Sequence, residues 1–244
     1  MLDFSNSKIL IVGDVMLDKY YFGKVDRFSP EAPVPIVNIQ KEESRLGGAS
    51  NVANNIVSLG GHSLLCGVIG HDLFGKEIER ISRHKNIDTF LLKTSSPTIT
   101  KARIIGGKQQ IVRVDYEDKS ELNTDNKKLF RDTISRILPE YDILVISDYG
   151  KGLISEDLCR YLIKLAHKYD KKVIIDPKGK NWEKYSGADI VTPNVKELSD
   201  IVGYTVPNTD RAIEKAAREA ITNNHLTALL VTRSDKGMSL IGPI

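Results

Sequence analysis

The chain has 244 residues, 41% of them apolar and 27% charged, with a formal net charge of +3. That length suits one large domain or two small ones, and the composition is that of a soluble globular protein with a substantial core. The Lys and Arg residues are scattered, which argues against a nucleic-acid partner while leaving room for a local anion pocket. The first residues, Met1-Leu2-Asp3-Phe4-Ser5-Asn6-Ser7, do not pair a basic segment with a long apolar one. No apolar run approaches the roughly 20 residues that span a bilayer, so no membrane partner and a cytoplasmic location are expected. Cys66 and Cys159 belong to no paired motif and read as reduced structural cysteines.

In chain order, a first strand is predicted over residues 8–12, followed by Gly13-Asp14, with Asp18 one turn later. Residues 20–40 hold Pro30, Pro33 and Pro35 and then a β-rich run over 34–39. Next comes Arg45-Leu46-Gly47-Gly48-Ala49-Ser50-Asn51. Its glycine pair lets backbone amides approach a ligand, because no Cβ stands in the way. A helix starts at Ala49–Asn51, with Val52, Ala53, Ile56, Val57 and Leu59 apolar and Gly60-Gly61 as its stop. Exposed amides at such a start suit polar or anionic groups; a helix entry that needs two small residues would look the same.

A second strand is predicted over 63–69, and residues 98–105 and 109–116 read as a hairpin around Gly106-Gly107-Lys108. Further strands are predicted over 142–147, 172–176, 189–192 and 227–232. Runs such as Ile143-Leu144-Val145-Ile146 are apolar without alternation, as in strands covered on both faces. A helix with Leu158, Tyr161, Leu162, Leu165, Ala166 and Tyr169 on one stripe opens at Ser155, with Glu156 and Asp157 in its first turn. Another carries Ile213, Ala216, Ala217, Ala220 and Ile221 after Thr209-Asp210. This rhythm predicts an α/β sandwich with a mostly parallel sheet. Segments of about 15–45 and 97–117 break it and are expected to form a small accessory sheet, although an extension of the central sheet's edge would give the same pattern.

Polar residues follow five of these strands, where open α/β sheets bind ligands. They are Gly13-Asp14, Asp148-Tyr149-Gly150-Lys151-Gly152, Asp176-Pro177-Lys178-Gly179, Thr192-Pro193-Asn194-Val195-Lys196-Glu197 and Thr232-Arg233-Ser234-Asp235-Lys236-Gly237. An Asp in one such place is often only a helix cap; five in succession point to a site.

Across essentially its whole length the chain resembles the ribokinase-like (PfkB) carbohydrate kinases, and within them the heptose 7-phosphate kinases of lipopolysaccharide inner-core biosynthesis. The residues that carry the resemblance are Val12-Gly13-Asp14-Val15-Met16-Leu17-Asp18, Ser29-Pro30-Glu31-Ala32-Pro33-Val34-Pro35, Leu46-Gly47-Gly48-Ala49-Ser50-Asn51-Val52-Ala53, Ser147-Asp148-Tyr149-Gly150-Lys151-Gly152, Asp176-Pro177-Lys178-Gly179 and Thr192-Pro193-Asn194. The Ser-Pro-Glu-Ala-Pro-Val-Pro and Asp-Tyr-Gly-Lys-Gly runs favour the subgroup; the glycine pair indicates only the superfamily.

The resemblance implies a three-layer sandwich, a sugar pocket under a β-sheet lid, and ATP across the C-terminal strand ends. Gly47, Gly48 and Asn51 match the sugar-binding signature, and Asp14 and Asp18 match positions that hold sugar hydroxyls. Asn194 and Glu197 match an Asn-x-x-Glu element that organises Mg2+ and phosphates, with Glu197 serving the metal and Asn194-Val195-Lys196-Glu197 at the ATP site. Arg233 to Gly237 corresponds to a loop beside the nucleotide. Lys178 is either a phosphate-neutralising cation or an exposed turn lysine. Lys101, Arg103 and Arg113 alternate along the hairpin, so they either clamp a substrate phosphate or are solvated edge charges.

The family's second signature, Gly-Ala-Gly-Asp, supplies an anion hole and the base that deprotonates the attacking hydroxyl. No Gly-x-Gly-Asp occurs in the 244 residues, so the catalytic base is expected beyond Ile244. The expectation is then a kinase domain over 1–244 that lacks its C-terminal part and is a poor catalyst alone. The expected reaction is ATP-dependent phosphorylation of a heptose 7-phosphate at its anomeric hydroxyl. The alternatives are a non-catalytic sugar-phosphate-binding remnant and a kinase for another sugar. A dinucleotide-dependent dehydrogenase is disfavoured, because Gly13-Asp14 is not a Gly-x-Gly-x-x-Gly turn. Apolar lid strands offer a surface for a homodimer.

Overall fold

A computed structural model describes residues 3–118 and 120–243. Ile244, the residue beyond which the catalytic base is expected, lies outside the described residues, so that expectation meets no structural test. The chain begins with β1 (Lys8–Gly13), β2 (Val15–Phe28), β3 (Pro35–Gly48), α1 (Ala49–Ser58), β4 (His62–Gly70), α2 (Leu73–His84) and β5 (Asp88–Thr94). It continues with β6 (Thr100–Gly106), β7 (Gln109–Tyr116), α3 (Thr124–Ile137), β8 (Ile143–Ser147), α4 (Glu156–Lys168) and β9 (Lys172–Asp176). The last elements are β10 (Ile190–Val191), α5 (Val195–Val202), α6 (Asp210–Asn223), β11 (Ala228–Thr232) and β12 (Met238–Ile241).

Eight strands form the main sheet in the order β12-β11-β10-β9-β8-β1-β4-β5. All neighbours are parallel except β11 and β12. Successive side chains of β1 point to opposite faces, and both faces are covered. Ile9 and Ile11 join Leu65 and Ile78 under α1 and α2. Leu10 and Val12 join Phe130, Leu144, Leu162 and Ile213 on the other side. A parallel sheet buried on both faces accounts for the unalternated apolar runs in the sequence.

The lid is a second, separate sheet of four strands, β3-β2-β6-β7, and not an extension of the main sheet's edge. In it β2 runs parallel to β6, and β2 with β3 makes a long antiparallel ribbon. Both long strands start or end at the main sheet. β2 leaves one residue after β1, and β3 runs directly into α1. Asp18 therefore lies within a strand and not one turn into a loop, and the Gly47-Gly48 pair closes a strand. Sequence patterning does not anticipate β5, an edge strand, or the short antiparallel β12 at the opposite edge. Among the described residues no helix is long and apolar enough to cross a membrane.

Candidate active site

The lid, α1 and the end of α2 line a cleft of about 650 Å³, which Tyr149 enters from the loop after β8. Asp18 from β2, Gly47 and Gly48 from β3, Asn51 from α1, and Lys101 and Arg103 from β6 all line it. Strand register explains the gathering: Asp18 is paired with Lys101 on one side and Arg45 on the other, and Tyr20 with Arg103. Arg103 Nη1 donates to Asp18 Oδ1 at 2.6 Å. The guanidinium groups of Arg103 and Arg45 lie 5.2 and 5.0 Å from the Tyr20 ring, within cation–π range. Arg113 faces Arg103 in the register but is tied to Asp115 at 2.8 Å and does not line the cleft.

The glycine pair has a steric reason. A Cβ on Gly47 would collide with the Asp18 carboxylate, and one on Gly48 with the Asp14 carbonyl. Gly48 also has φ +54°, a backbone region that L side chains rarely adopt. Its position turns the chain from β3 into α1, where Ser50 Oγ donates to the Gly47 carbonyl at 2.6 Å.

Asp14 departs from the expectation. It is 2% exposed and does not line the cleft with Asp18. Its Oδ2 accepts the backbone N–H groups of Tyr149 (2.8 Å) and Lys151 (3.1 Å). Burial raises its pKa despite these bonds. The carboxylate is a brace for the loop after β8. That loop delivers Tyr149, which the sequence marks only as part of a motif, into the cleft.

Tyr149 joins the cleft to a second group of residues. Its hydroxyl hydrogen-bonds Asp176 at the end of β9, and burial, Asp176 and Glu197 push the phenol's pKa up. Asp176 itself is pushed up to about 6, first by burial and then by the charge of Glu197, with Lys178 opposing. Asp148 is held by the Lys184 ammonium and by Tyr185, whose hydroxyl donates to its Oδ2 at 2.6 Å. Strand-end position is the sequence signal for Asp148 and Asp176; their clustering requires the sheet order β8-β9-β10.

Asn194 and Glu197 form a capping box at the start of α5. Asn194 Oδ1 accepts from the Glu197 amide at 2.9 Å, and Glu197 Oε2 accepts from the Asn194 amide at 3.1 Å. Glu197 Oε1 is held more loosely, 3.5 Å from Lys178 Nζ. Val195 and Lys196 occupy the first turn, with Lys196 exposed. Arg233 departs from its expected role: it is buried, and its guanidinium is bound to Asn208, Ser239 and Asp210 at 2.7–2.9 Å. Gly237, with φ +74°, closes the turn by accepting from the Arg233 amide. These two residues shape the strand-end loop after β11.

Among the described residues no group of three or more His, Cys, Asp or Glu side chains is arranged to hold a metal ion. The acidic pair Asp176 and Glu197 still fits a cation shared with a ligand. Mg2+ keeps most of its coordination from water and phosphate and takes one or two protein carboxylates. A carboxyl whose pKa is raised first by burial and then by a neighbouring carboxylate is one that a cation would relieve.

Comparison with known proteins identifies the family. Residues 6–242 match the pfkB family carbohydrate kinase. Over 242 residues the chain is 44% identical to the bifunctional protein HldE of Haemophilus influenzae (strain PittEE), covering 99% of this chain and 50% of that protein. It is 42% identical over 237 residues to a D-beta-D-heptose 7-phosphate kinase of Bordetella bronchiseptica, covering 97% of this chain and 74% of that one. The chain thus spans about half the length of the bifunctional relatives it matches. Phosphofructokinase-2 of Escherichia coli, in its tetrameric inhibited form, shares the fold with a TM-score of 0.77 at 20% identity, over 97% of this chain and 76% of that one.

Proposed function

The chain belongs to the pfkB family of carbohydrate kinases, and from that premise we propose that it binds a heptose 7-phosphate under the lid for ATP-dependent phosphorylation at the anomeric hydroxyl. In the transfer, that oxygen bonds to the γ-phosphorus, the bond from phosphorus to the β-bridging oxygen breaks, ADP leaves, and the hydroxyl proton passes to a base. The observation that carries the reading is the meeting of Asp18, Gly47 and Asn51 with Lys101 and Arg103 in one cleft. Asp18 and Asn51 suit vicinal hydroxyls, and the two lid cations suit a substrate phosphate.

Tyr149 forms the wall between the sugar and the strand-end carboxylates. Lys178 and the start of α5 at Asn194 and Val195 suit the nucleotide phosphates, since phosphoryl transfer depends on positioning and charge stabilisation. Asp176 and Glu197 would hold Mg2+, which neutralises phosphate charge when bound. None of the 244 residues forms a Gly-x-Gly-Asp element, so no residue from Met1 to Ile244 is assigned as the base. Val112, Val114 and Tyr116 are exposed on β7, the free edge of the lid, which supports docking of a second copy there.

Calorimetric titration with heptose 7-phosphate, fructose phosphate and unphosphorylated heptose tests the substrate. Tightest binding of the first, lost in Asp18→Ala, is expected; equal affinities for all three would overturn the substrate assignment. Release of ADP on adding ATP separates transfer from binding alone.

A further inference from the structure

Lys178, the cation suited to the nucleotide phosphates, sits in the loop after β9 with its side chain about half exposed and its Nζ 3.5 Å from Glu197 Oε1. A long lysine side chain loses rotamer freedom when it grips a ligand. How firmly its backbone is already held decides how much ordering is left for the moment of binding. Two fully buried aromatic residues, Trp182 and Tyr185, hold that backbone. They bracket a single 3-10 turn, Glu183–Tyr185, and belong to no motif read in the sequence.

The Tyr185 hydroxyl accepts from the Lys178 amide at 2.9 Å, and the Trp182 indole N–H donates to the Gly179 carbonyl at 3.3 Å. The phenol has one proton to give. It goes to Asp148 Oδ2, a charged acceptor at 2.6 Å, ahead of the Lys178 carbonyl at 3.3 Å. Burial first and then the Asp148 charge push the phenol's pKa up, so the hydroxyl keeps that proton. Asp148 in turn reaches the neighbouring loop: its Oδ1 accepts from the Gly150 amide at 2.8 Å, one residue after Tyr149. The Lys184 ammonium balances its charge. The two loops abut, since a Cβ on Gly150 would lie 3.6 Å from Lys178 Cγ. A buried carboxylate is costly to assemble, and the backbone ladder already pairs β8 with β9. What Asp148 and Tyr185 add is a fixed relation between the Tyr149 loop and Lys178.

We propose that Tyr185 is a positioning residue for the nucleotide phosphates: its hydroxyl, anchored on Asp148, fixes the backbone of Lys178 so that the ammonium meets the phosphates already placed. Trp182 holds the far end of the same turn at Gly179. The proposal rests on the reading that gives Lys178 to the nucleotide.

Calorimetric titration of the full chain with magnesium-ATP tests it. Tyr185→Phe keeps the ring in the core and removes only the oxygen. ATP affinity is expected to fall about three- to tenfold, the scale of one neutral hydrogen bond, while heptose 7-phosphate affinity holds. In a Lys178→Met background the same change is expected to cost nothing further, because no ammonium is left to place. Equal losses with and without that ammonium, an equal fall in sugar affinity, or unchanged ATP affinity in folded Tyr185→Phe would overturn the proposal. Trp182 is the only tryptophan in the chain, so its emission reports the turn in the wild type as well. ATP is expected to change that emission and Lys178→Met to abolish the response; emission indifferent to saturating ATP would overturn the proposal whether or not Tyr185→Phe folds. ATP affinity unchanged in Lys178→Met would remove the nucleotide reading of Lys178 and the proposal with it. A loss in Lys178→Met with none in Tyr185→Phe would remove the proposal alone.

Discussion

Arg103 Nη1 lies 2.6 Å from Asp18 Oδ1 across two adjacent lid strands, so the cation suited to a phosphate and the carboxylate suited to sugar hydroxyls hold each other. Both side chains are about one-fifth exposed, 21% and 22%, so the pair is partly screened by solvent. A phosphate entering the cleft competes for Arg103 and releases Asp18 to accept hydroxyls. Removing the guanidinium by Arg103→Ala is therefore expected to weaken a phosphorylated sugar by roughly 10- to 100-fold, the scale of one charge-assisted hydrogen bond. The unphosphorylated sugar should change far less, since its binding no longer requires breaking the pair. Calorimetry with the two sugars checks this; equal losses for both would place Arg103 outside phosphate recognition.

Gly47 gives a steric counterpart. Its missing Cβ leaves the space that the Asp18 carboxylate occupies, and its backbone is part of β3 in a φ range open to alanine. Gly47→Ala should therefore fold, because the collision is with a side chain that can rotate. The rotation would move Asp18 away from Arg103 and from the sugar, so sugar affinity should fall at least tenfold with a small change in urea midpoint. Crystals or amide spectra showing Asp18 undisturbed would remove this explanation.

How much of the molecule is legible in its sequence follows from which contacts are local. The helix starts at Ala49, Glu156 and Asp210 can be read from nearby caps and glycines. The Asn194–Glu197 box is likewise written within four residues. The partition of Asp14 and Asp18 is not legible: they are four residues apart, yet one braces the loop at Tyr149 and the other faces Arg103. That outcome depends on β2 leaving the main sheet at Val15, a long-range pairing with no local signal. Arg233 misleads for a similar reason. Its position after β11 suggests a ligand, but Asn208 and Asp210, distant in sequence, take up its guanidinium.

Asp14 makes a prediction that distinguishes bracing from binding. Asp14→Ala removes the acceptor for two backbone amides, those of Tyr149 and Lys151. Leaving buried donors unsatisfied costs about 1–3 kcal/mol, so chemical denaturation should show a loss of that order. Asp18→Ala, at a partly exposed cleft position, should leave stability nearly unchanged while abolishing sugar binding. If Asp14→Ala were as stable as wild type and lost only sugar affinity, Asp14 would be a direct sugar ligand after all.

Asp176 sets a pH dependence whose sign can be worked out. Its pKa is raised from the ordinary 3.8 to about 6 by burial and then by Glu197, so the folded state holds this proton more tightly than the unfolded state does. The stabilisation from that proton is fully present below the unfolded value and fades as pH climbs through about 6. Between pH 5 and pH 8 the wild type should lose roughly 1 kcal/mol through this group, from the one unit separating pH 5 from its pKa. Asp176→Asn carries no such charge, so its stability relative to wild type should rise by about that amount over the interval. Urea unfolding of both proteins in magnesium-free buffer at the two pH values makes the comparison. A constant difference between them would mean that Asp176 is already ionised at pH 5, and that Glu197 and burial do not act on it as the geometry requires.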